Sequence, residues 1–171
     1  IFKPGGLTRT LTVDGQTLPG DRGRRYIFHN TALQPNGALD VFSGHIFGRI
    51  EDTTGIEPFG RLVDQVMLQE PFHSANRVFW LVDGGASHHP ATAPARLQTC
   101  HANLIVVHTP THASWLNQIE IYFSILQRKA LTPLDAADRS MLAERILGYQ
   151  EYYNRTAKPF NWKFTRNDLQ E

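Results

Sequence analysis

Apolar residues recur at steps of three and four positions in four segments, and this spacing predicts four amphipathic helices. The first runs from about Pro58 to about Glu70, where Pro71 stops it, and a short second one covers about 92–100. The third opens at Ser114, a suitable N-cap, and the fourth covers about 137–153. The third helix carries an apolar stripe formed by Leu116, Ile119, Phe123 and Leu126.

Other apolar segments have the patterns of strands. Residues 78–82 and 104–107 are apolar throughout, which is typical of strands that are buried on both faces. Residues 37–42 and 45–50 flank Ser43-Gly44, which predicts a hairpin with a two-residue turn. The order hairpin, helix, strand, helix, strand, helix, helix predicts an α/β layered domain with parallel strand pairs.

Composition restricts the class of protein. The 171 residues, 41% hydrophobic and 11% aromatic, suit one globular domain, and no apolar run is long enough to span a membrane. The net charge of +1 neither supports nor excludes a nucleic-acid partner. The single cysteine rules out an internal disulfide and favours a reducing compartment. Residues 1–25, rich in glycine and proline, are interpreted as a flexible basic arm, and residues 26–171 as the core.

Two carboxylates are expected at one edge of the sheet. Asp83 directly follows the strand 78–82, and the glycines after it, Gly84 and Gly85, allow backbone or ligand to approach closely. Ligands of such sheets bind beyond the carboxyl ends of the strands. Glu120 lies at the margin of the third helix's stripe, in its second turn. We expect their carboxylates within about 8 Å of one another, a span that two ligands can bridge through one or two metal ions and water. Oxygen ligands without a nearby thiolate favour Mg²⁺ or Mn²⁺ over zinc.

Several alternatives compete with this site. Glu120 alone is compatible with a half-exposed surface glutamate. His108 and His112 have the spacing of a helical zinc pair, but Pro110 between them disfavours a helix. Ser87, followed by two histidines, suggests a nucleophile but lacks the second glycine of a nucleophile elbow.

The chain resembles the insertion-sequence-630 family of mariner-related transposases, within the DDE superfamily. The most specific block is HTPTHASWLNQIE at 108–120. Supporting blocks are LVDGGASH at 81–88, YFSILQRK at 122–129, KPFNWKFT at 158–165 and ALDV at 38–41. The resemblance implies an RNase H-like mixed sheet flanked by helices, a site for two divalent metal ions, Mg²⁺ or Mn²⁺, and DNA strand transfer.

The resemblance assigns roles residue by residue. Asp83 matches the second catalytic aspartate and Glu120 the third acidic residue, both as metal ligands, although Gly84 stands where the family has asparagine. Trp115, Asn117 and His88 are implied as supporting residues around them. The first aspartate and its strand are expected to be missing, because the chain starts without methionine and neither Asp14 nor Asp40 matches that position. We therefore expect a truncated, almost inactive catalytic core.

The resemblance also implies partners and a location. Transposon ends and target DNA are the expected partners, with a homodimer for the complete protein and a bacterial cytoplasmic, nucleoid-associated location. The candidate DNA contacts are Arg24, Arg25, Arg128 and Lys129. Two other hypotheses stay open: a non-enzymatic remnant that only binds DNA or a partner chain, and an unrelated metal-dependent nuclease of RNase H type.

Overall fold

The computed structural model describes residues 11–13, 16–18, 24–30, 36–83, 89–109, 118–131 and 139–161. Its strands are β1 Leu11–Val13, β2 Gln16–Leu18, β3 Arg24–Asn30, β4 Asn36–Asp40, β5 Ile46–Arg49, β6 Arg77–Val82 and β7 Leu104–His108. Its helices are α1 Ile56–Met67, α2 Ala93–Cys100, α3 Ile119–Leu126, a π-helix Gln127–Leu131 and α4 Arg139–Asn154.

Five of these strands form one mixed sheet in the order β5-β4-β3-β6-β7. The β5-β4 and β4-β3 pairs are antiparallel, and the β3-β6 and β6-β7 pairs are parallel. This arrangement, flanked by helices, is consistent with the RNase H-like class that the resemblance implied. The predicted fold class is thus confirmed.

The position expected to be vacant at the centre of the sheet is occupied. Strand β3 lies between β4 and β6, with Ile27 paired to Asp40 on one side and to Trp80 on the other. The expectation of a missing central strand with two unpaired edges was therefore wrong for this sheet. The boundary drawn between residues 25 and 26 falls inside β3. Strand β3 itself, RRYIFHN, contains no carboxylate.

The segment interpreted as a flexible arm also contains a small sheet. Strands β1 and β2 pair antiparallel, with Leu11 opposite Leu18 and Val13 opposite Gln16. The sequence between them is Asp14-Gly15, a dipeptide typical of two-residue hairpin connections, which the arm interpretation overlooked. The structure therefore replaces the loop prediction with strand at 11–13, 16–18 and 24–25.

Two hydrophobic clusters cover the two faces of the sheet. The α1-side cluster joins α1 and α2 to the sheet through Val78, Trp80 and Val82 of β6. The α3-side cluster joins α3 and α4 to Phe79 and Leu81 of the same strand. Strand β6 is thus buried on both faces, as its continuous apolar run predicted. The predicted core face of α1 is also confirmed: Phe59, Leu62, Val63, Val66 and Met67 are all buried.

Three local predictions need correction. The β4–β5 connection is wider than two residues, because Asp40 N–H bonds to His45 O at 2.9 Å and Val41–Gly44 lie between them. Strand β7 is mostly half-buried rather than fully buried, because it is the last strand on its side of the described sheet. Helix α3 begins at Ile119, so Glu120 lies in the first turn and not the second. The predicted N-cap, Ser114, lies outside the described residues.

The free side of strand β5 is closed by a side chain from the end of α4. Asn154 Oδ1 accepts a hydrogen bond from Ile46 N–H at 2.9 Å, and Asn154 Nδ2 donates to Ile46 O at 2.8 Å. The side-chain amide therefore satisfies both peptide groups of Ile46, as a neighbouring strand would. We call this pair of hydrogen bonds the Asn154 clamp. It covers an edge that would otherwise be open to another chain.

Tyr122 is an unusual member of the α3-side cluster. Its side chain is buried and packs edge-on against Tyr153, with ring centroids 5.0 Å apart. Among the described residues its hydroxyl has no hydrogen-bond partner. Burial, assisted by Tyr149 and Tyr153, raises the pKa of this phenol, so the ring stays neutral.

The described helices include none that is long and apolar enough to cross a membrane.

Candidate functional site

Asp83 directly follows β6 at the carboxyl end of the parallel strands. Phe79 and Leu81 of β6 belong to the α3-side cluster, and successive side chains of a strand alternate between faces. Asp83 therefore falls on the α3 side of the sheet. The ladder continues beside it, since Thr109 N–H donates to Val82 O at 2.8 Å.

Glu120 is brought to this side of the sheet by the packing of α3. Ile119 and Phe123, on either side of it in the sequence, are buried in the α3-side cluster. The helix approaches β4 at Gly37, where a methyl group would lie 2.9 Å from Phe123 Cζ and 3.1 Å from Ile119 Cδ1. The absence of a side chain at Gly37 thus determines how closely the first turn of α3, and with it Glu120, approaches the sheet.

The two carboxylates interact electrostatically. Burial raises the pKa of Glu120, and the negative charge of Asp83 raises it further. Like charges have this effect when they lie near one another, so both carboxylates share one environment on the α3 side. The expected separation of about 8 Å between them, a span that bridged metal ions cover, stays a prediction.

The donors present fit part of a divalent-metal site. Two carboxylates that repel one another are the oxygen ligands that Mg²⁺ and Mn²⁺ take, and a cation between them would relieve the repulsion. Within the described ranges no group of three or more His, Cys, Asp or Glu side chains is placed to hold a metal ion. A third carboxylate is therefore not supplied by these parts of the chain.

Asp40 does not complete the pair. It alternates with Leu39 of the α3-side cluster and so lies on the α1 side of the sheet, opposite Asp83. Its buried carboxylate accepts hydrogen bonds from Phe42 N–H at 3.1 Å and from Ser43 Oγ at 2.7 Å. Asp40 therefore organises the turn that follows β4.

The histidine alternatives gain no support. His108 pairs with Val82, and its neighbour on the same face, Val106, packs against the α1-side cluster, so His108 lies across the sheet from Asp83. His112, the other half of the proposed zinc pair, lies outside the described residues. The same is true of Ser87 and of the three predicted supporting residues, which are His88, Trp115 and Asn117.

The candidate DNA contacts fall into two separate places. Arg128 and Lys129 are exposed on the π-helix, nine or fewer residues after Glu120. Arg24 and Arg25 begin β3, where Arg24 pairs with Arg77 at the opposite end of the sheet from Asp83. Six strand positions separate these levels, which is about 20 Å. The four basic residues therefore do not form one continuous cluster around the two carboxylates.

Sequence reasoning missed two residues of this site. Thr109 follows β7 at the position next to Asp83, and its backbone is tied to β6. Gly37 sets the seat of α3. The pattern at Thr109 was available, because it follows a strand just as Asp83 does. The role of Gly37 was not, because its contacts with α3 come from more than 80 positions along the chain.

Comparison with known proteins supplies one finding. The sequence profile of a family described as DDE superfamily endonuclease matches residues 20–142, more than half of the chain. The matched range includes β3, Asp83, Glu120 and the π-helix. No curated protein matches the chain.

Proposed function

Because this chain belongs to the DDE superfamily endonucleases, we propose that Asp83 and Glu120 are the metal-binding carboxylates of a transposase-type DNA-cleaving domain. The observation that carries the proposal is the placement of Asp83, directly after β6, and of Glu120, in the first turn of α3, on the same side of the sheet. Burial and the charge of Asp83 raise the pKa of Glu120 there, as expected of two neighbouring carboxylates. Within the superfamily we assign the chain to the mariner-related insertion-sequence-630 group on its proline-to-glutamate block, 110–120. DNA is the proposed substrate. The complete protein is proposed to act as a homodimer.

Each residue has a defined task in this proposal. When bound, divalent ions supply charge stabilisation and an activated oxygen nucleophile for phosphodiester cleavage. Asp83 presents its carboxylate from the end of a strand that is buried on both faces. Glu120 presents its carboxylate from the first turn of α3, whose depth is set at Gly37. Rigid elements of this kind hold a site more accurately than loops do.

We further propose that cleavage by this chain is weak, because a third carboxylate is needed to hold both ions. Strand β3 occupies the central position but is RRYIFHN, without an acidic residue. Position 30 follows the His29–Val82 pair and is therefore level with Asp83. Asn30→Asp would add a carboxylate at that level.

The test combines Mn²⁺ binding, measured by calorimetry, with nicking of supercoiled DNA. Asp83→Ala and Glu120→Ala should each reduce Mn²⁺ affinity at least about tenfold, as loss of a ligand does. Glu57→Ala is the matched control, since Glu57 is an exposed acid in the first turn of α1. Unchanged Mn²⁺ affinity in both site variants would refute the metal site.

Nicking separates the second part of the proposal from the first. The chain should nick DNA weakly or not at all with Mn²⁺, and Asn30→Asp should increase nicking. Strong nicking by the unchanged chain that Asp83→Ala abolishes would show that two carboxylates suffice. The lack of a carboxylate on β3 favours a second candidate function, a non-enzymatic DNA-binding domain. Metal binding without nicking, in both the unchanged chain and Asn30→Asp, would support that second function.

A further inference from the structure

An open groove of about 630 Å³ lies between the π-helix and α4. Its α4 wall is a helical stripe of residues at steps of four, three and four, namely Met141, Arg145, Gly148 and Tyr152. Tyr149 and Lys129 complete the parts of the lining that matter here. The volume lies within the range of ligand sites in proteins. The groove belongs to neither hydrophobic cluster's interior, because Met141 and Tyr152 are exposed.

The chemistry of the lining combines cations with aromatic rings. Lys129 and Arg145 are exposed, and Arg128 directly precedes Lys129, whereas Glu144 is the acidic residue of the lining. Arg145 Nε donates to Ala130 O at 3.2 Å, which fixes the guanidinium against the π-helix. Tyr152 is 66% exposed and lies beside Tyr149, with ring centroids 6.1 Å apart. Tyr149 is half-buried, so the exposed ring is that of Tyr152, and it lies beside the fixed cation Arg145. An exposed ring beside a cation is the feature on which an unpaired base and its phosphate bind.

We propose that this groove binds a single strand of DNA, with Tyr149 and Tyr152 contacting bases and Lys129 and Arg145 contacting phosphates. The inference rests on the proposed function in taking DNA as the ligand. A single strand fits better than a duplex, because only unpaired bases offer their faces to tyrosine rings. The lining carries two cations, Lys129 and Arg145, and one carboxylate, Glu144, so its charge complements a phosphate backbone.

The groove is within reach of the candidate metal site. Lys129 follows Glu120 by nine residues along one uninterrupted helical path, α3 and then the π-helix, which spans about 13 Å. That distance corresponds to about four nucleotide steps at a rise of 3.4 Å. The axial separation between Lys129 and Glu120 is therefore one that about four nucleotides span.

Gly148 provides the sharpest test, because a methyl group there would meet no atom of the described residues within 4 Å. Gly148→Leu should fill the groove while favouring the helix. Gly60→Leu is the matched control, since Gly60 lies in α1 and a methyl group there would likewise meet no described atom within 4 Å. Binding of a fluorescein-labelled dodecathymidine is measured by anisotropy in EDTA, so that neither metal binding nor cleavage enters the result.

We expect Gly148→Leu to weaken binding at least about fivefold and Gly60→Leu to leave it unchanged. Tyr152→Leu should weaken it by a similar factor, and Tyr152→Phe should retain it. Lys129→Gln should reduce the slope of log K against log[NaCl] by about 0.7. A duplex of the same length should bind more weakly.

Three results would overturn the inference. One is an oligonucleotide affinity that neither Gly148→Leu nor Tyr152→Leu changes. Another is the absence of binding by the unchanged chain. The third is a change of oligomeric state of the Gly148→Leu chain in sedimentation, without a change in DNA affinity, which would assign the groove to a second copy of the chain. All three are distinct from failure of the metal site, which Mn²⁺ calorimetry on Asp83→Ala reports by itself.

Discussion

Removing the Asn154 clamp should destabilise the fold from its edge. Asn154→Ala deletes both hydrogen bonds to Ile46, a residue that is only 1% exposed. Each bond contributes about 1 kcal/mol net, and each buried peptide group left unpaired costs about 1–3 kcal/mol unless water replaces the partner. Partial access of water at an edge strand brings the expected loss in the free energy of unfolding to about 2–4 kcal/mol.

The assay is urea denaturation followed by circular dichroism. With an m-value of about 2 kcal/mol/M, the expected loss moves the midpoint down by about 1–2 M. Asn154→Asp is the matched variant, because it keeps an acceptor for Ile46 N–H but replaces the donor to Ile46 O. Its loss should exceed that of Asn154→Ala at neutral pH, because a carboxylate oxygen then faces Ile46 O, an acceptor that it repels.

The uncovered edge has a second measurable effect. An unpaired β5 presents free peptide groups to other chains, so Asn154→Ala should also aggregate at lower protein concentration. A loss below about 0.5 kcal/mol, typical of an ordinary surface substitution, would refute the reasoning. A smaller loss for the aspartate variant than for the alanine variant would show that the bond from Ile46 N–H, and not the pair of bonds, carries the effect.

Three further predictions concern single positions. Gly37→Ala should lower the free energy of unfolding by about 1–2 kcal/mol and weaken Mn²⁺ binding, because overpacking against α3 outweighs the gain in chain stiffness. Gly60→Ala should instead raise the free energy of unfolding. Urea denaturation in which Gly37→Ala is the more stable of the two variants would contradict this. Tyr122→Phe should raise the thermal midpoint, since it removes a buried hydroxyl without a described partner; a lower midpoint would disprove that. Hydrogen bonds from Arg61 lower the pKa of Glu51 to about 2 from 4.5, so the stability it contributes is present above pH 4.5 and is lost as pH falls towards 2; a Glu51→Gln chain with the same acid unfolding profile would exclude this role.

The parts of the fold that sequence could predict are those whose signals are local. The core face of α1 and the continuous run of β6 follow from spacing and length alone, and both are observed. The sequence pattern turns to β from Tyr26, but it does not predict a separate strand β3 that begins at Arg24, because the glycines and arginines before Tyr26 are typical of a loop. Strand β7 has the same apolar pattern as β6, and only its position in the sheet makes it half-buried.

The candidate site divides in the same way. Strand ends and helix margins are visible in sequence, so the pattern alone identifies Asp83 and Glu120 as candidates. The Asn154 clamp joins residues 108 positions apart, and no local pattern carries that information. The face on which Asp40 lies depended on the register of β4, which spacing within the hairpin did not establish.

In the proposed metal site, the division of the two carboxylates between the sheet and a helix would make metal binding a measure of folding. Asp83 belongs to the sheet and Glu120 to a helix packed on it, so the unfolded chain holds them 37 positions apart with no reason to meet. An ion that bridges them binds the folded state alone and stabilises it in proportion to the logarithm of its concentration, by about 2.7 kcal/mol at one hundred times its dissociation constant. On this proposal, the packing of α3 against Gly37 couples ion binding to folding, and the concentration of divalent cations would control whether that helix is in place.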